Sequence, residues 1–173
     1  MRNCLGFVHQ VGILKLMTRM LRTRHSQLDE VSKQIVEQLQ IDGRKSYAEI
    51  GKVVGLSEAA VRQRVQKLNE SGVMQIVAVT DPMRLGFSRQ AMVGVKCTGD
   101  VNKVAQALAD IPQVDYVVLT AGGFDILVEV VCEDDEDLIN LLNSNIRLLP
   151  GVVSAETFVY LKLHKQFYNW GTR

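Results

Sequence analysis

Apolar residues recur at helical spacing early in the chain and at strand spacing later, and this change of period divides it. Leu28, Val31, Ile35 and Leu39 share one face at steps of three and four, which predicts a first helix ending near Asp42-Gly43. Ser46 followed three residues later by Glu49 is a capping box, so a second helix begins near Tyr47. Gly51 lies inside it, where glycine costs about 1 kcal/mol relative to alanine, and close approach of a second helix supplies a reason. Gly55 ends this helix, since glycine adopts the left-handed conformation that other residues resist. Ser57 caps a third helix with Glu58 in its positive first turn, and Val61, Val65 and Leu68 form its inward stripe. After Gly72, the β-prone run Ile76–Thr80 predicts a short strand flanking the helices, which Asp81-Pro82 terminates.

Farther along, strands and helices alternate. Ala91–Cys97, Val114–Thr120, Asp125–Cys132 and Val152–Leu163 read as strands. Val101–Ala109 reads as a helix with Val101, Val104, Ala105 and Leu108 inward, and Leu138–Leu149 as another with Leu138, Leu141, Leu142, Ile146 and Leu149 apolar. Ala121-Gly122-Gly123 is a turn and Leu149-Pro150-Gly151 a stop. The order βαββαβ predicts a ferredoxin-like sandwich, with two helices on one face of an antiparallel sheet. In the last strand Ala155, Thr157, Val159, Leu161 and Leu163 fall on the core side, and Glu156, Phe158, Tyr160, Lys162 and His164 on the other. An open sheet face bearing Phe and Tyr predicts burial against a second copy of the chain. The expected class is α+β: a basic extension over 1–27, a winged helix-turn-helix domain over 28–80, a linker over 81–89, a ferredoxin-like domain over 90–164 and a tail over 165–173.

Composition bounds this picture without redrawing it. A chain of 173 residues is one large domain or two small ones, and its 47% hydrophobic content suffices for a buried core. The net charge is only +1, but it is unevenly spread. Residues 1–28 carry five bases and no acid (+5), residues 29–75 seven of each (0), and residues 76–173 eight bases against twelve acids (−4). That arrangement suits a front that faces DNA and a back that faces something else. Cys4, Cys97 and Cys132 are widely spaced with no C-x-x-C pair, and His9, His25 and His164 have no neighbour at metal-ligand spacing, so no metal or cofactor is expected. The acids of Glu133–Asp137 fit the start of a helix, where its dipole favours them. Lys15 interrupts the apolar stretch Cys4–Met20 and no cleavage site follows, so a cytoplasmic protein with no membrane partner is expected. Leu14, Met17 and Leu21 would share a helical face in a further basic helix or arm.

The polar face of the third helix carries the candidate chemistry. Arg62, Gln63, Arg64, Gln66 and Lys67 are long donors that bond to phosphates, and Arg and Gln also make bidentate contacts with guanine and adenine edges in the major groove. With Ser57 and Glu58 at the helix start, these residues form the expected surface for double-stranded DNA. An ordinary amphipathic surface helix would look similar, but the capped, glycine-punctuated helix pair favours DNA.

The helix pair, the strand after Gly72, Gly122-Gly123-Phe124-Asp125 and Leu149-Pro150-Gly151 together resemble the leucine-responsive Lrp/AsnC (feast/famine) family, from about Leu28 to the carboxyl end. The resemblance implies a sequence-specific transcriptional regulator of amino-acid metabolism. Its βαββαβ domain would dimerise, commonly assemble into tetramers or octamers, and bind an amino acid or related metabolite between subunits. The turn Gly122-Gly123-Phe124-Asp125 resembles the family's G-x-x-D turn. There a glycine would let backbone amides approach a carboxylate, and Asp125 would accept hydrogen bonds from an α-ammonium group. Alternatively, the turn is a hairpin that simply needs glycine. Leu119, Thr120, Phe158 and Tyr160 are further candidates for lining the pocket or the interface. The family often has an acid where Ser32 and Gly123 stand here.

Two other readings compete. An accessory protein would bind the effector and modulate another regulator, touching DNA only in mixed assemblies. An enzyme is suggested by sirohaem decarboxylases, which resemble this architecture, but the carboxyl-terminal domain has one histidine and no clustered arginines for a tetrapyrrole. No nucleophile with a partnered base, P-loop or dinucleotide fingerprint appears, and the expectation is that the chain is not an enzyme.

Overall fold

The computed structural model describes residues 28–167 and 171–172, which fall into two compact units. Of these described residues, those up to Ala78 together with those from Lys165 on make the first, and Val79–His164 the second. The expected basic extension over 1–27, with its face of Leu14, Met17 and Leu21, lies outside the described residues.

Capping side chains set the helix boundaries of the first unit. Helix α1 (Glu30–Ile41) starts where the Asp29 carboxylate accepts from the Ser32 amide at 2.9 Å. Helix α2 (Tyr47–Val54) opens on the expected capping box: Glu49 N donates to Ser46 Oγ at 3.3 Å, and Ser46 N to Glu49 Oε2 at 3.2 Å. Gly55 closes it with φ at 72°. Helix α3 (Glu58–Glu70) opens on Ser57, whose hydroxyl accepts from Ala60 N at 3.3 Å. Ile35, Leu39, Ile50, Val61 and Val65 bury one another at the centre.

Two features of this unit differ from expectation. A Cβ on Gly51 would drive into the carbonyl oxygen of Leu56, so the tight turn between α2 and α3, rather than a second helix, excludes a side chain there. Residues 74–81 carry no regular structure, and the strand expected over Ile76–Thr80 does not form. An extended segment needs a neighbour for its amides and carbonyls. None pairs with it among the described residues, and Ile76, Val77 and Val79 stand exposed.

In the second unit a 3₁₀ turn, Pro82–Leu85, leads into β1 (Arg89–Cys97), α4 (Val101–Ala109), β2 (Val114–Leu119) and β3 (Ile126–Cys132). Then follow α5 (Asp135–Asn140), a wider π turn (Leu141–Ile146) and β4 (Val152–Val159). The strands lie in the order β2-β3-β1-β4, with every neighbouring pair antiparallel, as a ferredoxin-like sheet requires. Alternation sorts the faces. Val93 and Val95 of β1 with Ile126, Val128 and Val130 of β3 meet Val104, Leu108, Leu138, Leu141 and Ile146 from the helical side, and all are buried.

Helix α5 starts at Asp135 instead of Leu138 because Asp134 caps it, accepting from Asp137 N at 2.9 Å, and acids suit that end of the dipole. Strand β4 ends at Val159 instead of Leu163. Tyr160 N still donates to Gln90 O at 2.9 Å, but β1 begins at Arg89, so the chain beyond has no strand to pair with. Leu161 and Leu163, expected on the core side, are therefore 96% and 58% exposed. Among the described residues no helix is long and apolar enough to cross a membrane.

Candidate functional site

The polar face of α3 is held in three ways. Gln63 and Lys67, one turn apart, extend into solvent. Arg62 and Gln66 are engaged along the helix: Arg62 Nη2 donates to Glu58 Oε1 at 2.8 Å with its guanidinium 5.3 Å from the Tyr47 ring centroid, and Gln66 Nε2 donates to Glu70 Oε1 at 2.8 Å. Such exposed pairs are individually weak and yield to a phosphate at little cost. Ser57 serves as the cap, so it and the first amides of α3 form the positive end of the helix beside Glu58.

Arg64 is engaged differently. Its Nη1 donates to Asp29 Oδ2 at 2.6 Å and to Ser32 Oγ at 3.0 Å, both at the start of α1, and its side chain is 35% exposed. Hydrogen bonds from Ser32 and then from Arg64 hold the Asp29 carboxyl down at about 2. An open hollow of about 520 Å³ lies at this corner, lined by Leu28, Ser32, Leu56, Gln63, Arg64 and Lys67 among others.

The second candidate region is the turn between β2 and β3. Thr120 Oγ1 donates to Phe124 O at 2.6 Å and Thr120 N to Asp125 O at 2.9 Å, closing the hairpin. Asp125 is tied to the neighbouring strand: its amide donates to Val95 O at 3.0 Å, and its Oδ2 accepts from Cys97 N at 2.7 Å, where the pairing of β1 with β4 slips between Lys96 and Cys97. Gly122 and Gly123 are exposed and outside the left-handed region, and a Cβ on either would meet no atom within 4 Å. The hairpin itself therefore does not need glycine at either position. Phe124 lies over Gly94, where a Cβ would come within 2.6 Å of its ring, and its ring meets that of Phe158 edge-on at 6.1 Å between centroids. Leu119 ends β2 half exposed.

Thr120, Phe124, Asp125 and Phe158 thus come together on the open side of the sheet. Tyr160 sits just past the end of β4 and joins a different group. Burial pushes its phenol up to about 12, aided by the charge of Glu129 and a hydrogen bond to that carboxylate, which also accepts from Gln90 Nε2 at 3.0 Å. Asp115 on the edge strand is likewise raised, by burial and then by Glu129. Sequence reasoning missed Gly94, although a glycine inside a strand signals that another group approaches closely. It also missed Gln90 and Glu129, which only the strand register brings together. No cluster of metal-binding side chains occurs among the described residues.

Comparison with known proteins matches both units. The AsnC-type helix-turn-helix domain matches residues 28–69, and an AsnC-type C-terminal dimeric α+β barrel domain matches residues 87–173. The HTH-type transcriptional regulator FL11 of Pyrococcus horikoshii is 39% identical over 141 residues, covering 80% of this chain and 93% of that protein. The leucine response regulatory protein LrpA of Mycobacterium tuberculosis superposes with a TM-score of 0.74 at 26% identity, over 80% of this chain and 96% of its own. The regulator NMB0573 of Neisseria meningitidis, solved as a complex with L-methionine, gives a TM-score of 0.70 at 23% identity, over 81% and 94%. With its capped helix pair, its four-stranded α+β unit and these relatives, the chain belongs to the Lrp/AsnC family of DNA-binding transcriptional regulators, which are not enzymes.

Proposed function

We propose that the protein is a homodimeric regulator that reads a pseudo-palindromic site through α3 of each copy, and that an amino acid or related metabolite bound at the Gly122–Asp125 turn between subunits changes its grip. The observation that carries the effector half is the pair of glycines. Neither has a positive φ or a neighbour that a Cβ would strike, which leaves bare, open backbone that something outside the single chain could approach closely. A carboxylate would meet those amides, the Asp125 carboxylate would accept from an α-ammonium group, and Leu119, Thr120, Phe124 and Phe158 would wall the side chain. The amino-acid class agrees with the L-methionine held by the Neisseria meningitidis relative.

On the DNA side, Gln63 and Lys67 present their donors outward, with Arg62 and Gln66 released from surface pairs on contact and Ser57 and Glu58 at the helix start. Two-fold symmetry puts the recognition helices about 34 Å apart, one turn of duplex. In this reading dimers assemble further into tetramers or octamers, and the protein acts in the cytoplasm on genes of amino-acid metabolism. The effector would favour one quaternary arrangement over another.

The test is a mobility shift on the gene's own upstream DNA at two salt concentrations, with each of the twenty amino acids, for wild type and Gly122→Val. A salt-sensitive, sequence-dependent shift that one amino acid alters in wild type but not in the variant is the expected result. Indifference to every amino acid, or an undiminished response in Gly122→Val, would remove the turn from the effector site.

A further inference from the structure

We infer that Arg64, although it stands on the DNA-reading helix, is a positioning residue that fixes α3 against the start of α1 through Asp29 and Ser32, leaving base reading to the face centred on Gln63. The inference deepens the DNA half of the reading above and rests on α3 being the helix that meets DNA.

Geometry and periodicity agree on this point. Val61, Arg64, Val65 and Leu68 are spaced i, i+3, i+4 and i+7, which is one face of a helix. Val61, Val65 and Leu68 of that set are buried, so Arg64 occupies the flank of the inward stripe. Gln63, one position earlier, is turned outward and exposed at the rim of the hollow. The Arg64 guanidinium spans 35 and 32 residues of sequence to reach Asp29 and Ser32, whereas Arg62 and Gln66 find partners four residues away on their own helix. Ser32 is 7% exposed, so its hydroxyl needs a protein partner, and Arg64 donates to it.

The same Asp29 carboxylate caps α1 with one oxygen and holds Arg64 with the other. One acid thereby sets both where α1 begins and how α3 lies on it. At the edge of the apolar contact between α1 and α3 an open hollow remains, and at this corner the hydrogen bonds of Arg64 join the two helices. An arginine drawn to a base would have to break a 2.6 Å charge-assisted bond and leave the Ser32 hydroxyl behind.

The experiment uses the full chain with its own upstream DNA and a scrambled duplex, comparing wild type, Arg64→Ala, Asp29→Ser and the double variant. Serine keeps the helix cap while removing the partner of Arg64. Specific affinity should fall by about fivefold in each single variant, and no further in the double variant. The ratio of specific to scrambled binding should fall, and the salt slope should stay that of wild type. A change in preference at one base position in Arg64→Ala with Asp29→Ser unaffected would make Arg64 a reader. A salt slope lowered by about 0.9 in Arg64→Ala would make it a phosphate clamp. Either result overturns the inference. If wild type shows no specific binding, the regulator reading itself fails, and melting then decides the clamp: non-additive losses across the Asp29–Arg64 cycle keep the contact, additive ones reject it.

Discussion

The two units of the chain are finished to different degrees, and this separates what one copy does from what two must do. In the helical unit each helix is started by a neighbouring side chain, Asp29, Ser46 or Ser57, and the apolar stripes close on one another at Ile35, Ile50 and Val61. In the α+β unit the order comes from strand pairs such as Arg89 with Cys132, far apart in sequence, and among the described residues the helices cover only one face of the sheet. On the other face Tyr116 and Phe158 are each 45% exposed. The helical unit closes its own apolar stripes, whereas an aromatic open sheet face is the surface that the proposed dimer would bury. The dimeric description of the matched C-terminal domain agrees.

The sharpest way to break this contrast is to put a charge on the open face. Phe158→Glu should convert the dimer to monomer by sedimentation, with specific DNA affinity about a hundredfold lower because two half-sites are no longer gripped together. Circular dichroism should stay near wild type, since Phe158 contributes nothing to the core under the helices. A variant that remains a dimer would place the interface elsewhere on the unit.

Gly51→Ala tests the other side. The methyl group has the Leu56 carbonyl in its way, so the helix pair must open, at a cost of about 1–3 kcal/mol. Chemical denaturation should report that loss together with weakened DNA binding, while sedimentation still shows a dimer. Smaller again is Gly94→Ala, which pushes the Phe124 ring off the sheet. Effector affinity in calorimetry should drop by about tenfold with the dimer and DNA affinity unchanged. An unaltered effector affinity would separate Phe124 from the site.

How legible these units were in the sequence follows the same division. Caps and stripes are local, so Ser46 with Glu49, Gly55, Ser57 and the Val61–Leu68 stripe were readable within a few residues. The strands were readable as alternation, but their ends were not, because a strand stops where its partner stops: β4 ends opposite the start of β1, leaving Leu161 and Leu163 in solvent. The strand expected over Ile76–Thr80 failed for the same reason. Arg64, counted among the DNA contacts on its charge, could have been placed beside the inward stripe from its spacing to Val61 and Val65. The meeting of Gln90, Glu129 and Tyr160 was not legible, since it depends on register across three strands.

The least disruptive contrast is pH, and its sign differs between the units. Asp29 and Glu49 in the helical unit both have folded pKa values below their ordinary ones, Asp29 at about 2 from an ordinary 3.8. A depressed carboxylate stabilises above its unfolded pKa, and that contribution disappears as pH falls through the folded value. In the α+β unit Asp135 is lowered by its hydrogen bond to Arg89, but Asp115 is raised by burial and Glu129, so acid removes one contribution and relieves another. At the alkaline end the order reverses. Tyr160 is raised from 10.0 to about 12, so its neutral form stabilises the α+β unit below pH 10 and that contribution is lost as pH rises through about 12. Backbone amide resonances of α1 and β3, followed by NMR from about pH 6 down to about pH 2, should therefore weaken first in α1, and Asp29→Ser should flatten that difference. Loss of β3 before α1 in acid would mean that the cap at Asp29 is not what distinguishes the helical unit.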